Sequence, residues 1–274
     1  LQGIIKIKAG NVSTFAIDNN NKLWSAGYNG YGNLGDGTTG NKTSFVKIDA
    51  LENVADVSAS PINSTIVLLL DGTVWGFGNN ANNALTNVGG AIPQQLQGPD
   101  GALDNVTAIG TGYYSGYAIT SEEKVVAWGM NNYSQLASGD TSTKSVPVFM
   151  KDKDGNDFTD AMIVSGGIYN TELAKNDGTV WSIGYNGYGE LGDGSTTSKN
   201  KIECISTQYI KLQEREVTLK LSNPEYQINP ETVYGFNLLF DVVENNGFEY
   251  ESSDNNIATV DKTTGKVVAK NTGR

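Results

Sequence analysis

The feature that most constrains this chain is an internal repeat of about fifty residues. Four segments align on one glycine each, with spacings of 51, 51 and 55 residues, at Gly27, Gly78, Gly129 and Gly184. An asparagine follows each of these anchor glycines by two residues and a leucine follows by seven: Asn29, Asn80, Asn131 and Asn186, then Leu34, Leu85, Leu136 and Leu191. A period of this length predicts stacked units of one architecture.

The residues around each anchor glycine predict short strands joined by tight turns. A block of small residues, followed by an apolar run, precedes every anchor and begins at Lys8, Ser58, Gly110 and Ser165. Turn-forming residues then follow at 19–21, 71–73 and 177–179. About four strands per repeat, without helical periodicity, predict the blade of a β-propeller and not a helical solenoid.

The anchor residues have predicted structural roles. Trp24, Trp75 and Trp181 lie three residues before their anchor glycines, whereas Trp128 lies one residue before its own. A shift of two along a strand keeps the same face, so we expect all four rings on the same side of their blades. We expect positive φ or close strand approach at the glycines, left-handed conformations and backbone hydrogen bonds at the asparagines, and core packing between blades at the leucines.

The pattern W-x-x-G-x-N-x-x-x-x-L-G-x-G resembles the regulator-of-chromosome-condensation repeat over about residues 1–206. Members of that family usually form seven-bladed propellers, so the resemblance implies four blades of seven. Three more blades upstream, a second chain or an open arc are the alternatives, and an open arc would favour homo-oligomers through its exposed blade edges. Many members have a histidine where this chain has Ser13, Ser64, Ser115 and Asn170, and nucleotide exchange on a GTPase is not carried over.

The C-terminal part of the chain departs from the repeat. We assign the propeller repeats to residues 1–208 and a second domain to residues 209–274. Alternating strands with Asn-Gly and Thr-Gly turns predict a β-sandwich there. The stretch from Tyr250 to Val267 resembles the group 2 bacterial immunoglobulin-like domain, which usually continues with one further strand. The expected fold class is therefore all-β: a partial propeller followed by a truncated immunoglobulin-like sandwich.

Composition limits the chemistry. The chain has no histidine, which removes imidazole as a general base or metal ligand, and its single cysteine excludes an intrachain disulfide. The formal net charge of −11 argues against nucleic acid and anionic membranes as partners. The longest apolar run, residues 66–70, is too short for membrane insertion. We therefore predict no cofactor and no enzyme activity.

Two sets of acidic residues need an interpretation. Asp152, Asp154 and Asn156 resemble a calcium loop weakly, because oxygen-bearing side chains alternate there but no terminal glutamate follows. We predict no metal site, and these three residues are the one weak calcium candidate. Asp36 and Asp193 occupy matching loops, where turn and capping roles are favoured over paired acid–base chemistry.

Tyrosines are the candidate binding residues. Rigid loops that carry tyrosine give a large contact area at low entropic cost, which suits recognition of a protein or a sugar. Tyr133 lies at or near a strand edge, at a blade position equivalent to those of Tyr113, Tyr114 and Tyr169. Packing between blades is the alternative role for all of the tyrosines considered. The predicted binding residues are Tyr113, Tyr114, Tyr169, Tyr28, Tyr31, Tyr185 and Tyr188.

Three functions are compatible with this sequence. The first is an extracellular bacterial binding or adhesion module, secreted or at the cell surface, because bacterial immunoglobulin-like domains commonly form stalks that would present the propeller. The second is an inhibitor-like propeller that binds a secreted enzyme through its aromatic loops. The third is a carboxylate-based glycan-active enzyme, which the missing histidine does not forbid, although no convergent carboxylate pair is visible in the repeats.

Overall fold

The computed structural model describes residues 1–205, 216–218, 258–260 and 266–269. The chain divides into two compact units, Leu1–Thr207 and Gln208–Arg274.

The first unit contains four antiparallel sheets, which we call blades 1 to 4, and in each blade four strands pair in chain order. A short hairpin, β9–β10, and a 3-10 helix at Ala81–Asn83 accompany blade 2. The strands are β1 (Ile4–Ala9), β2 (Ser13–Asp18), β3 (Leu23–Gly27) and β4 (Lys42–Lys47) in blade 1; β5 (Val54–Ala59), β6 (Ser64–Leu69), β7 (Val74–Gly78) and β8 (Gly90–Gln95) in blade 2; β9 (Gln97–Gly98) and β10 (Gly101–Ala102); β11 (Val106–Thr111), β12 (Ser115–Thr120), β13 (Val125–Gly129) and β14 (Lys144–Phe149) in blade 3; and β15 (Ala161–Gly166), β16 (Asn170–Lys175), β17 (Val180–Gly184) and β18 (Lys199–Cys204) in blade 4.

The predicted turns connect the second and third strands of their blades. Asp71 caps its turn by accepting a hydrogen bond from the Thr73 backbone N–H at 3.0 Å. Asp177 does the same for Thr179 at 2.9 Å. In blade 1 the turn closes through Asn21, which has a φ of 56°. Four strands per repeat and the hairpin turns are thus confirmed.

Three hydrophobic clusters hold the four blades together, and each cluster lies between two consecutive blades. Phe15 and Leu34 of blade 1 pack with Val57 and Phe77 of blade 2. Blades 2 and 3 share a cluster that includes Ile66, Leu85 and Trp128, and blades 3 and 4 share one that includes Tyr117, Leu136 and Ile183. Burial of these apolar faces is the main stabilising contribution to blade packing.

Three of the four anchor leucines and three of the four tryptophans lie between blades as the repeat predicts. The first three anchor leucines each contribute to the cluster with the following blade, and all four are at most 1% exposed. Trp75, Trp128 and Trp181 each pack into the cluster with the preceding blade. The two-residue displacement of Trp128 therefore keeps its ring on the expected face. Its Nε1 donates a hydrogen bond to the Ala84 carbonyl of blade 2 at 2.9 Å.

The second unit is described through three short strands. These are β19 (Glu216–Thr218), β20 (Ala258–Val260) and β21 (Lys266–Ala269), which form an antiparallel sheet with β21 in the centre. Most of the predicted immunoglobulin-like domain lies outside the described residues, so that assignment stays a prediction. In the described part of the chain, no helix has the length and hydropathy that crossing a membrane requires.

Candidate functional site

The candidate site lies at one end of the blades, which we call the loop end. In an antiparallel blade, the turn between the first two strands and the loop between the last two lie at the same end. The loop end comprises the turns 10–12, 60–63, 112–114 and 167–169 and the loops 28–41, 79–89, 130–143 and 185–198. Neighbouring turns are joined by hydrogen bonds, such as that from the Tyr113 backbone N–H to the Gly167 carbonyl at 2.9 Å.

The anchor glycines begin these loops, and their conformation excludes a side chain. Gly27 has a φ of 115° and Gly184 a φ of 114°. A Cβ on Gly27 would lie 2.5 Å from the Val12 carbonyl oxygen, and one on Gly184 would collide with the Tyr169 carbonyl oxygen. Both predicted reasons for glycine, positive φ and close strand approach, are confirmed.

The anchor asparagines close the loops from inside. Each Oδ1 accepts a hydrogen bond from the backbone N–H of the anchor leucine, at 2.8–2.9 Å in all four blades. In blade 4, the Asn186 Nδ2 donates to the carbonyls of Ser195 at 3.1 Å and Thr197 at 3.2 Å. The predicted backbone bonding is confirmed. The predicted left-handed conformation is wrong, because none of the four has a positive φ; each acts through its side chain.

Three loops each add an ion pair to a lysine that lies fifteen residues after the anchor glycine; the aspartate has the same offset in blades 1 and 4 and lies two residues later in blade 3. Asp36 pairs with Lys42 at 2.9 Å, and Asp140 pairs with Lys144 at 2.7 Å. The third pair joins Asp193 to Lys199 at 3.3 Å. Each carboxylate also accepts a hydrogen bond from a backbone N–H two residues further on, as the predicted turn role requires.

These contacts lower the pKa values of the three aspartates. Burial raises the pKa of Asp36, but Lys42 and Thr38 outweigh it and the net change is downward. Lys144 is the main cause of the lowered pKa of Asp140. The Ser195 backbone N–H and hydroxyl lower the pKa of Asp193 to about 2. All three are therefore ionised carboxylates near neutral pH, which leaves no proton for a general acid at these positions.

Four tyrosine rings meet at the loop end of blades 3 and 4. We call Tyr133, Tyr169, Tyr185 and Tyr188 the tyrosine cluster. Tyr133 lies 4.7 Å from Tyr169 and 5.2 Å from Tyr185, measured between ring centroids. Tyr185 lies 6.3 Å from Tyr188, which is 88% exposed. Tilted and edge-to-face contacts at these distances are favourable and hold the rings in a defined arrangement.

The structure divides the seven predicted tyrosines into three groups. Tyr169, Tyr185 and Tyr188 belong to the tyrosine cluster. Tyr113 and Tyr114 form a half-buried edge-to-face pair with centroids 4.6 Å apart. Tyr28 and Tyr31 form an exposed pair in blade 1 with centroids 6.2 Å apart. No ring contact among the described residues joins these groups to one another.

Tyr133 is the cluster residue that the predicted binding set lacks. It lies four residues after its anchor glycine, as Tyr31 and Tyr188 do. That offset was the available signal, but the flanking residues Asn132 and Ser134 differ from the glycines that flank Tyr31 and Tyr188. Its ring contacts with Tyr169 and Tyr185 assign it to the site.

The acidic stretch around Asp152 forms a tight turn. The Asp152 Oδ1 accepts hydrogen bonds from the backbone N–H groups of Asp154 and Asn156, both at 2.9 Å. Asp154 pairs with Lys153 at 2.8 Å. Within the described residues, no group of three acidic, histidine or cysteine side chains is placed to hold a metal ion. Calcium binding at this turn remains an untested, weak prediction.

Glu172 is a further unusual group, which the sequence analysis missed. It pairs across the sheet with Ser182, in the position that Phe15 has opposite Ser25 in blade 1. The same position is occupied by Ile66 in blade 2 and Tyr117 in blade 3, where the side chains are fully buried. Burial raises the pKa of Glu172 to about 7, against a hydrogen bond from the Asn170 amide at 3.1 Å.

Part of the chain matches a known family of repeats. The regulator of chromosome condensation (RCC1) repeat matches residues 122–169, and a second RCC1 repeat description matches residues 106–135. The chain therefore contains RCC1 repeats. Human WBSCR16 has a similar solved structure, with a TM-score of 0.66 and 17% identity over 76% of this chain and 54% of that one. This likeness supports the fold alone.

Two curated relatives show how much of a longer protein this sequence resembles. The ultraviolet-B receptor UVR8 of Arabidopsis thaliana is 24% identical over 215 residues, which are 76% of this chain and 48% of UVR8. The E3 ubiquitin-protein ligase HERC2 of Homo sapiens is 24% identical over 203 residues, which are 70% of this chain and 4% of HERC2. The chain thus spans about half the length of UVR8 and a small part of HERC2.

Proposed function

We propose that this chain is an extracellular bacterial binding module whose loop end recognises a protein or a glycan. The observation that carries the proposal is the tyrosine cluster, in which exposed rings from two blades are held together on rigid loops. Tyrosine offers an apolar ring and a hydroxyl with few rotatable bonds, so it binds with little loss of conformational entropy.

The construction of the loops supports a binding role. Anchor asparagines and Asp–Lys pairs fix the backbone of each tyrosine-bearing loop before any ligand arrives. A preorganised surface avoids the ordering cost that a flexible loop would incur on association.

The extracellular assignment and the non-enzymatic assignment belong to the same proposal. The predicted immunoglobulin-like stalk supports display outside the cell. The three loop aspartates are ionised and paired with lysines, which supports a structural use of these carboxylates over acid–base catalysis. HERC2 is named a ligase, but the match to this chain covers only 4% of HERC2, so we do not transfer ligase activity to this chain.

Binding to immobilised glycans and proteins tests the proposal. The chain is screened against both kinds of array, and the strongest ligand is then titrated against Tyr169→Ala, which removes an exposed ring that contacts both Tyr133 and Tyr185. We expect a loss of affinity of tenfold or more, in the range of an aromatic hot spot. Leu70→Ala is the control, because Leu70 is 62% exposed and follows β6 at the opposite end of blade 2.

Two results would contradict the proposal. One is that neither array yields a ligand for the intact chain. The other is that Tyr169→Ala and Leu70→Ala bind the ligand equally well, which would exclude this end of the blades as the binding surface. Circular dichroism of both variants confirms that their folds are intact.

A further inference from the structure

Blades 1 and 4 carry the same tyrosine motif in the same geometry. The sequence Tyr-Asn-Gly-Tyr-Gly occurs at residues 28–32 and again at 185–189. Tyr28 and Tyr31 have centroids 6.2 Å apart with an interplanar angle of 65°. Tyr185 and Tyr188 have centroids 6.3 Å apart with an angle of 66°. The two pairs therefore share one ring arrangement, and the blade 4 pair has additional contacts with Tyr133 and Tyr169.

A glycine inside each motif shapes the pair. A Cβ on Gly30 would collide with the Tyr28 hydroxyl, and a Cβ on Gly187 would collide with the Tyr185 hydroxyl. Neither glycine has a positive φ, so the backbone alone does not require glycine there. The glycines leave space for a tyrosine ring to lie along the loop.

The fold does not need these tyrosines. Blade 2 has Asn79 and Asn82 at the equivalent positions, yet its anchor Asn80 still accepts the hydrogen bond from Leu85 at 2.8 Å. Blade 3 has Met130 in place of the first tyrosine, and its loop closes in the same way. The paired rings of blades 1 and 4 thus serve something other than loop closure.

The surroundings of the pairs carry almost no free charge. The turns and loops of the loop end contain four charged side chains: Asp36, Asp140, Asp193 and Glu190. The three aspartates are paired with lysines, so Glu190, which accepts a hydrogen bond from the Tyr188 backbone N–H at 2.8 Å, is the one charged side chain of these turns and loops without an ion-pair partner among the described residues. This near-neutral end contrasts with the formal charge of −11 on the whole chain.

A neutral surface with exposed rings favours an uncharged, hydroxyl-rich ligand. Protein surfaces are about one quarter charged, and those charges would lose water here without gaining partners. A neutral sugar presents C–H groups that pack on the electron-rich face of an aromatic ring, and hydroxyls that bond to tyrosine hydroxyls. Two similar subsites match a ligand whose units repeat.

We propose that the Tyr28–Tyr31 pair and the Tyr185–Tyr188 pair are two similar subsites that bind repeating units of one neutral polysaccharide chain. This inference rests on the proposed function and names its ligand class. When one polymer occupies both subsites, the second binding event becomes intramolecular, and the affinity for the polymer exceeds that for a short oligosaccharide by roughly 100-fold or more.

Stoichiometry is the decisive measurement. The intact chain is titrated calorimetrically with dextran, mannan, galactomannan and xyloglucan, and then with a length series of oligosaccharides from whichever polymer binds. We expect two short oligosaccharides per chain, and one per chain in Tyr31→Ala and in Tyr188→Ala, with an unchanged affinity at the remaining subsite. Both single variants should lose most of the polymer's extra affinity, and the double variant should bind neither ligand. Leu70→Ala is the control.

The outcomes separate this inference from the function on which it rests. A single oligosaccharide per intact chain, or equal affinities for polymer and oligosaccharide, overturns the two-subsite inference. A screen that yields only protein ligands also overturns it, while the proposed binding function survives. If the intact chain binds no ligand of either class, both fail.

Discussion

Replacing Glu172 by glutamine should stabilise the protein at alkaline pH. Glu172 occupies a strand position that holds Phe15, Ile66 and Tyr117 in the other blades, and its cross-strand neighbours Ser165 and Ser182 are uncharged. Burial raises the pKa of its carboxyl from 4.5 to about 7. A raised carboxyl pKa means that the folded state binds the proton more tightly than the unfolded chain does.

The sign and size of the effect follow from this difference. The stabilising contribution of the protonated carboxyl is fully present below pH 4.5 and is lost as the pH rises through about 7. The difference between the two pKa values corresponds to an upper bound of about 3 kcal/mol, and screening by solvent at this half-buried side chain reduces it to about 1–2 kcal/mol. Glutamine keeps the shape and the polarity but cannot ionise.

Urea unfolding between pH 5 and pH 8 measures this contribution. The chain has no histidine, so few side chains other than Glu172 titrate in that range. The intact chain should lose about 1–2 kcal/mol of unfolding free energy across the range, and Glu172→Gln should lose much less. Glu122→Gln is the control, because the Glu122 side chain is 72% exposed and pairs with Lys124 on the surface. Parallel pH profiles for the intact chain and Glu172→Gln would refute the reasoning.

Three further predictions concern the loops and the core. Asn186→Ala should cost about 2–4 kcal/mol of unfolding free energy, because buried backbone groups of the loop lose their hydrogen-bond partner. Asn80 is half-buried, so Asn80→Ala should cost about 1–2 kcal/mol. Equal costs of the two substitutions in urea unfolding would contradict this assignment. Leu136→Ala should cost about 3–4 kcal/mol through a cavity between blades 3 and 4, which thermal unfolding would show as a lowered Tm. Gly187→Ala should displace the Tyr185 ring and weaken ligand binding while the unfolding free energy changes by less than about 1 kcal/mol; unchanged binding would show that the ring position does not matter.

The repeat made much of the fold predictable. A glycine, an asparagine and a leucine at fixed offsets recur four times, and each position has one physical use: a backbone that excludes Cβ, a buried loop closure and a place in the core. Trp128 was assigned to the correct face from its two-residue displacement, because side chains alternate along a strand.

The candidate site was less predictable because it depends on contacts between blades. Tyr133 joins Tyr169 through two loops that lie 36 residues apart in sequence, and nothing local to either loop specifies that contact. Glu172 was missed because a single glutamate in a strand looks ordinary until the structure shows which residues share its position. The conformation of the anchor asparagines was mispredicted because turn propensity describes the backbone, whereas these residues act through buried amides.

Each hydrophobic cluster of the first unit draws its residues from two consecutive blades, and this arrangement limits how far the effect of a substitution spreads. Cooperativity in such an array is passed between nearest neighbours, so the loss of one interface acts first on the two blades that share it. A substitution at one loop tip leaves the other interfaces intact. Individual blades are therefore free to acquire or lose recognition residues independently, as the tyrosine-free loop of blade 2 illustrates.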